Sequence, residues 1–126
     1  MEAKKIAYVA GPYRSKFGKF GIFLNVLRAR KVARQLWKLG YTVICPHSNS
    51  AFMSSKNIPE FHFLHGYCTI LEKCDVAVFL PGWEMSDGSK EEMQVAYNNK
   101  LEIFEWSSQL DRKVLFSPQI SKRLEV

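Results

Sequence analysis

Lys5-Ile6-Ala7-Tyr8-Val9-Ala10-Gly11-Pro12 and Asp75-Val76-Ala77-Val78-Phe79-Leu80-Pro81-Gly82 decide the fold of this chain. Each is a short, β-prone apolar run that stops at a Gly-Pro or Pro-Gly turn signal. Neither alternates apolar with polar residues, so each suits a strand buried on both faces, as in a parallel sheet. Between the two lies a second strand-like run, Tyr41-Thr-Val-Ile-Cys45, ended by Pro46. A fourth run, Leu101-Glu-Ile-Phe-Glu-Trp106, follows them.

Helical patterns fill the intervals. Phe20 to Leu39 has helical period, with Leu24, Leu27, Ala29, Val32, Ala33, Leu36 and Trp37 expected on one broad apolar face. Gly40 is placed to end it as a C′ glycine. Residues 47–59 read as a polar loop, Pro59 to Cys74 as a second helix, and Ser86 to Asn98 as a third. Strands alternating with helices give an α/β fold: a doubly wound, mainly parallel sheet of four to five strands with helices on both faces. The fifth candidate is the short apolar piece Val114-Leu115-Phe116, which precedes a basic end. A length of 126 residues and 47% hydrophobic content fit one domain over residues 1–126 with its own core.

Composition narrows the function. No apolar run is long enough to span a membrane. The start, Met1 to Lys5, has no signal-peptide core, which makes a cytoplasmic protein the default expectation. The three cysteines form no CxxC and no pairing framework, so reduced thiols are expected. The net charge of +6 fits nucleic acid or a small anionic substrate alike. Arg28, Arg30, Lys31, Arg34 and Lys38 on the long helix read as a solvated outer face, because no aromatic is expected among them to stack bases. Nucleic acid is therefore not the expected partner. His47, His62 and His65 lack a carboxylate companion at metal-ligand spacing, and no metal or cofactor is expected. GxGxxG, Walker A and GxSxG patterns are absent from the sequence.

In doubly wound sheets ligands bind beyond the carboxyl ends of the strands. Three loops should therefore share one cleft: Gly11-Pro12-Tyr13-Arg14, Pro46-His47-Ser48-Asn49 and Gly82-Trp83-Glu84-Met85-Ser86-Asp87-Gly88. Arg14 offers a planar cationic fork for phosphate, or is a solvated loop residue. Ser86 or Asp87 can cap the third helix, whose first N–H groups favour an anion. Glu92 borders the buried face of that helix and Glu91 points outward. Near the helix N-terminus Glu92 is expected to be ionised, either as a nucleophile or as a first-turn acid balancing the dipole.

The ordered set of these motifs resembles the nucleoside 2-deoxyribosyltransferase-like superfamily. It comprises Ile6 to Arg14, Asn25 and Ala29, Gly40 to His47 with Asn49, Cys74 to Glu84, and Ser86-x-Gly88-x-x-x-Glu92-x-x-x-Ala96. The resemblance covers residues 5–105 and is nearest to a small phage and bacterial branch. It implies a flavodoxin-like sheet and a catalytic glutamate at Glu92 acting on C1′ of a nucleoside. Where the nucleoside transferases carry Asp six residues before that glutamate, Ser86 stands here, as in the monophosphate hydrolases. With Arg14 and the Gly11 loop this implies a nucleoside 5′-monophosphate rather than a free nucleoside. Gly11, Pro12, Tyr13, Arg14, His47, Asn49, Trp83, Ser86 and Gly88 are the expected binding residues. The sequence departs from the pattern at Tyr67, where the superfamily places an Asp on the second helix. Glu84 is then the candidate second carboxylate, with His47 or water as the other possible proton sources for the leaving base. A homodimer or higher homo-oligomer is also implied. The alternative is a nucleotide-binding or sequestering protein without catalysis.

Overall fold

The computed structural model describes residues 5–53 and 56–106. In chain order these form β1 (Ile6–Ala10), α1 (Gly18–Lys38), β2 (Thr42–Ile44), α2 (Pro46–Asn49), α3 (Glu60–Leu71), β3 (Val76–Phe79), a 3-10 turn (Trp83–Met85), α4 (Asp87–Asn98) and β4 (Glu102–Glu105). The four strands make a parallel sheet in the order β2-β1-β3-β4. The expected doubly wound α/β architecture is the one observed. The Val114–Phe116 piece lies outside the described residues.

The period-two alternation of β1 and β3 splits the core into two layers. Ala7, Val9, Val76, Val78 and Leu80 pack against Ala29, Val32, Ala33 and Leu36 of α1. Tyr8, Ala10, Ala77 and Phe79 pack on the other face against Leu71, Met93 and Ala96. So α1 covers one face, and α3 and α4 cover the other. Residues Ala7 to Ala10 and Val76 to Phe79 are buried throughout, as two-sided burial requires. Asp75 is structural at the amino edge of the sheet: its carboxylate accepts from Ile6 N at 2.8 Å.

Three local expectations are corrected. The core stripe of α1 is narrower than the broad face drawn from its period, and Leu24, Leu27 and Trp37 are 37%, 45% and 55% exposed. The sheet takes the Ala29-Val32-Ala33-Leu36 ridge, extended by Val26, whereas Leu24 and Leu27 stand roughly 140–160° round the helix from Ala29 and so face away from it. The 47–59 loop begins with the helical turn α2, because Pro46 at its first position has a preset φ and no N–H to satisfy. The second helix stops at Leu71, so Cys74 lies beyond it in the core, while Cys68 is half-buried. All three thiols are free.

Gly40 does end α1. With φ of 97°, it lets Tyr41 N donate to Leu36 O and its own N–H donate to Trp37 O, closing the last turn. Among the described residues, no helix is long and apolar enough to cross a membrane.

Candidate active site

Strand β1 lies between β2 and β3, and its two neighbours are reached by crossovers on opposite faces. The chain therefore diverges above the carboxyl ends of β1 and β3, leaving the crevice where such folds bind ligands. Gly11 makes this junction tight. A Cβ there would lie 2.7 Å from Leu80 Cβ, so only glycine lets the two strand ends converge.

The three expected loops meet at this point. His47 of α2 reaches under the first loop, and its Nε2 lies 2.9 Å from Pro12 O. The carbonyl accepts, so Nε2 carries the proton. The His47 and Tyr13 rings are 5.6 Å apart. Gly82, in the left-handed region at φ 90°, brings the third loop against Pro12. Asn25 of α1 fixes the first loop from behind by donating to Tyr13 O at 3.0 Å and Arg14 O at 3.3 Å. Tyr13 Oη accepts from Phe52 N at 2.9 Å.

Glu92 lies in the second turn of α4 and is 8% exposed. Its partner is Tyr8 of β1, fully buried, whose hydroxyl donates to Glu92 Oε2. By strand pattern alone Tyr8 counts as one more apolar residue of β1 and not as a site residue. The available signal was its hydroxyl, since a phenol inside an otherwise aliphatic two-sided strand must find a polar partner. Burial overrides the helix dipole at Glu92. Desolvation pushes its carboxyl up to about 7, and the Tyr8 hydrogen bond only tempers that rise. The expectation of a fully ionised glutamate is corrected accordingly: at neutral pH it is poised between its two forms. Burial and the neighbouring Glu92 charge hold the Tyr8 phenol far above its ordinary value, so it stays a donor. Burial, then the charges of Glu92, Glu91 and Glu72, push the Cys68 thiol up to about 11, which keeps it protonated beside the pair.

Ser86 caps α4, its Oγ accepting from Ser89 N at 3.2 Å. Gly88 follows against α3, where Leu64 would lie 3.9 Å from an added Cβ. Arg14 is exposed and ion-paired with Glu60 at the start of α3. Glu84 is exposed on the 3-10 turn, and no hydrogen bond or ion pair among the described residues joins it to Glu92. Asn49 Nδ2 donates to Tyr67 Oη at 2.9 Å, and Tyr67 Oη is 2.7 Å from Ser50 Oγ. Tyr67 thus locks the second loop to α3 at the position where a carboxylate was sought. His62 and His65 lie beside Phe61 on α3, with centroids 4.6 and 5.6 Å away.

Three buried polar atoms have no partner among the described residues: His47 Nδ1, Trp83 Nε1 and Ser89 Oγ. One belongs to the second loop, one to the third, and one to the first turn of α4. Buried polar side-chain atoms are as a rule hydrogen-bonded. Burial holds the His47 imidazole below its ordinary value, against the Pro12 and Gly11 carbonyls, which act the other way.

Residues 5–105 match the family model described as "Domain of unknown function (DUF4406)". The chain belongs to that family. Its fold is also that of a 2-deoxyribosyltransferase from Bacillus psychrosaccharolyticus, a biocatalyst for nucleoside synthesis. The two are 18% identical with a TM-score of 0.59, over 93% of this chain and 80% of that one. A conserved protein from Enterococcus faecalis is 19% identical with a TM-score of 0.55, over 84% of this chain and 65% of that one. Among proteins of curated function, none matches the sequence. At these identities the likeness is one of fold, so function rests on the site.

Proposed function

We propose that this chain cleaves, or transfers from, the N-glycosidic bond of a nucleoside 5′-monophosphate, with Glu92 at C1′. The observation that carries the reading is a buried carboxylate hydrogen-bonded by a buried tyrosine of β1, one of the two strands whose ends flank the crevice. The fold shared with a 2-deoxyribosyltransferase supports it.

In the proposed reaction the ionised Glu92 oxygen bonds to C1′ as the C1′–N bond breaks, and the electron pair leaves with the base. The base takes its proton from Glu84 or water. His47 is unsuited to that step, because it is buried, neutral and already donating to Pro12 O. Water then attacks C1′, giving its proton back to Glu84 or to solvent, and Glu92 leaves as the carboxylate, which completes hydrolysis. A second base in place of water gives transfer. This is the two-step logic of retaining glycosidases. Tyr8 holds the carboxylate and leaves its second oxygen for C1′.

The 5′-phosphate is assigned to the first N–H groups of α4, which lack intrahelical partners. Ser86 shapes that turn through its capping bond. Arg14 is the proposed counter-ion. Its exposed pair with Glu60 is worth at most about 1 kcal/mol, so a phosphate can displace Glu60. Tyr13, His47, Asn49 and Trp83 are assigned to the walls. The proposed oligomer is a homodimer or larger, using Phe20, Phe23, Leu24 and Leu27, an exposed i, i+3, i+4, i+7 stripe on α1.

The test is incubation with nucleoside monophosphates, deoxy forms and free nucleosides, with free base read by chromatography. Base release that disappears in Glu92→Gln is expected. No release from any of them, or release that survives the substitution, overturns the assignment. One observation favours the binding-only alternative: Tyr67 and its Asn49 network occupy the place of the second carboxylate. That reading predicts ligand-dependent thermal stabilisation without turnover.

A further inference from the structure

The carboxyl half of α1 carries its cations in register. Arg30, Arg34 and Lys38 recur every four residues, so successive charges stand about 6 Å apart along the axis. That spacing is close to the distance between phosphates of an extended single strand. Trp37 falls on the same stripe and is 55% exposed. By sequence alone these cations read as a solvated face for want of an aromatic among them; the exposed Trp37 on the same stripe supplies one.

These side chains form one wall of a groove of about 1140 Å³ that runs along β2, at the edge of the sheet. The opposite wall includes Tyr67 and Ile70 of α3. Lys31 adds a fourth cation, and none of the described lining residues is acidic. The groove is therefore cationic and furnished with an indole; Glu92 is not among its lining residues, and it reaches Ser48 and Asn49 of the second loop.

We infer that this groove binds single-stranded nucleic acid, its phosphates on Arg30, Arg34 and Lys38 and a base stacked on Trp37. The pattern of a cationic track with a stacking platform is sequence-tolerant and prefers single strands, whose base faces are accessible. An acidic peptide would satisfy the charges but would leave the indole without a stacking partner.

The experiment is fluorescence anisotropy of the full chain with labelled oligothymidylate at several salt concentrations. Binding that weakens with salt is expected, and Arg30→Ala/Arg34→Ala should lower the log–log salt slope by about 1.4, at about 0.7 per phosphate contact. Trp37→Ala should weaken binding about tenfold at constant slope, in the range of one lost base stack, and Trp37→Phe should restore part of the loss. All three substituted positions are on the surface, and circular dichroism checks that the variants fold. The inference is overturned by absence of binding at low salt, by binding that ignores both sets of substitutions, by tighter binding to duplex, or by equal displacement with polyglutamate.

Discussion

Glu92→Gln should change how stability depends on pH more than it changes stability itself. In the folded chain burial holds the Glu92 carboxyl at about 7, against its ordinary 4.5. At about 1.4 kcal/mol for each pH unit, keeping this group charged costs the fold about 3 kcal/mol. Below pH 4.5 both folded and unfolded chains hold the proton, and the cost is absent. As pH rises from 4.5 to 7 the unfolded chain releases a proton that the folded chain retains, so wild-type stability falls. Above about 7 the folded chain releases it too, and the loss levels off. The amide keeps the size of the side chain and still accepts from Tyr8, yet it cannot ionise. Urea denaturation followed by tryptophan fluorescence, at pH values from 4 to 9, should show the variant gaining about 3 kcal/mol on wild type between pH 4 and 8. Other titrating groups cancel in the difference. A difference that stays flat over this range, or runs the other way, refutes the claim that Glu92 is a desolvated carboxylate.

The same value sets an activity profile: kcat/KM for base release should rise with pH through a midpoint near 7, since the attacking form of Glu92 is ionised. Tyr8→Phe removes the donor that favours the charged form; it should move that midpoint upward and cost about 1–3 kcal/mol in denaturation. His47 is held below its ordinary value, so its buried neutral form stabilises the fold above pH 6.5 and that contribution is lost on acidification; His47→Gln should flatten this acid limb in urea titrations. Gly11→Ala forces a Cβ to 2.7 Å from Leu80 Cβ, and thermal denaturation should report a loss of about 1–3 kcal/mol. Lys100 closes α4 in the left-handed region at φ 59°, with Leu101 N donating to Ala96 O; Lys100→Gly should stabilise by about 0.5–1 kcal/mol.

Much of the fold and part of the site were legible in the sequence. The apolar runs at Ile6–Ala10 and Val76–Phe79 could be buried only as inner parallel strands, and the chain's β–α alternation left few ways to arrange them. Turn chemistry at Gly11-Pro12, Pro46 and Pro81-Gly82 located the three loops, because those residues stop strands wherever they occur. Capping logic placed Ser86, and helical period put Glu92 inside and Glu91 outside. All of these are local or periodic properties, carried by residues close together in the chain.

Only the tertiary structure decided the rest. Tyr8 and Glu92 are 84 residues apart, and nothing local to either announces the other. Their pairing follows from β1 lying beneath α4, which also supplies the burial that makes Glu92 a poised group rather than a first-turn acid. Leu24 and Leu27 belong with Phe20 and Phe23 to a second apolar stripe on the far side of α1 from Ala29 and Leu36, and Trp37 stands at the flank; the sheet covers only the first stripe. Their exposure turns an ordinary amphipathic helix into one with two outward surfaces, an apolar one and a basic one. Periodicity states which side chains share a face, whereas only the packed sheet decides which of two apolar faces is covered.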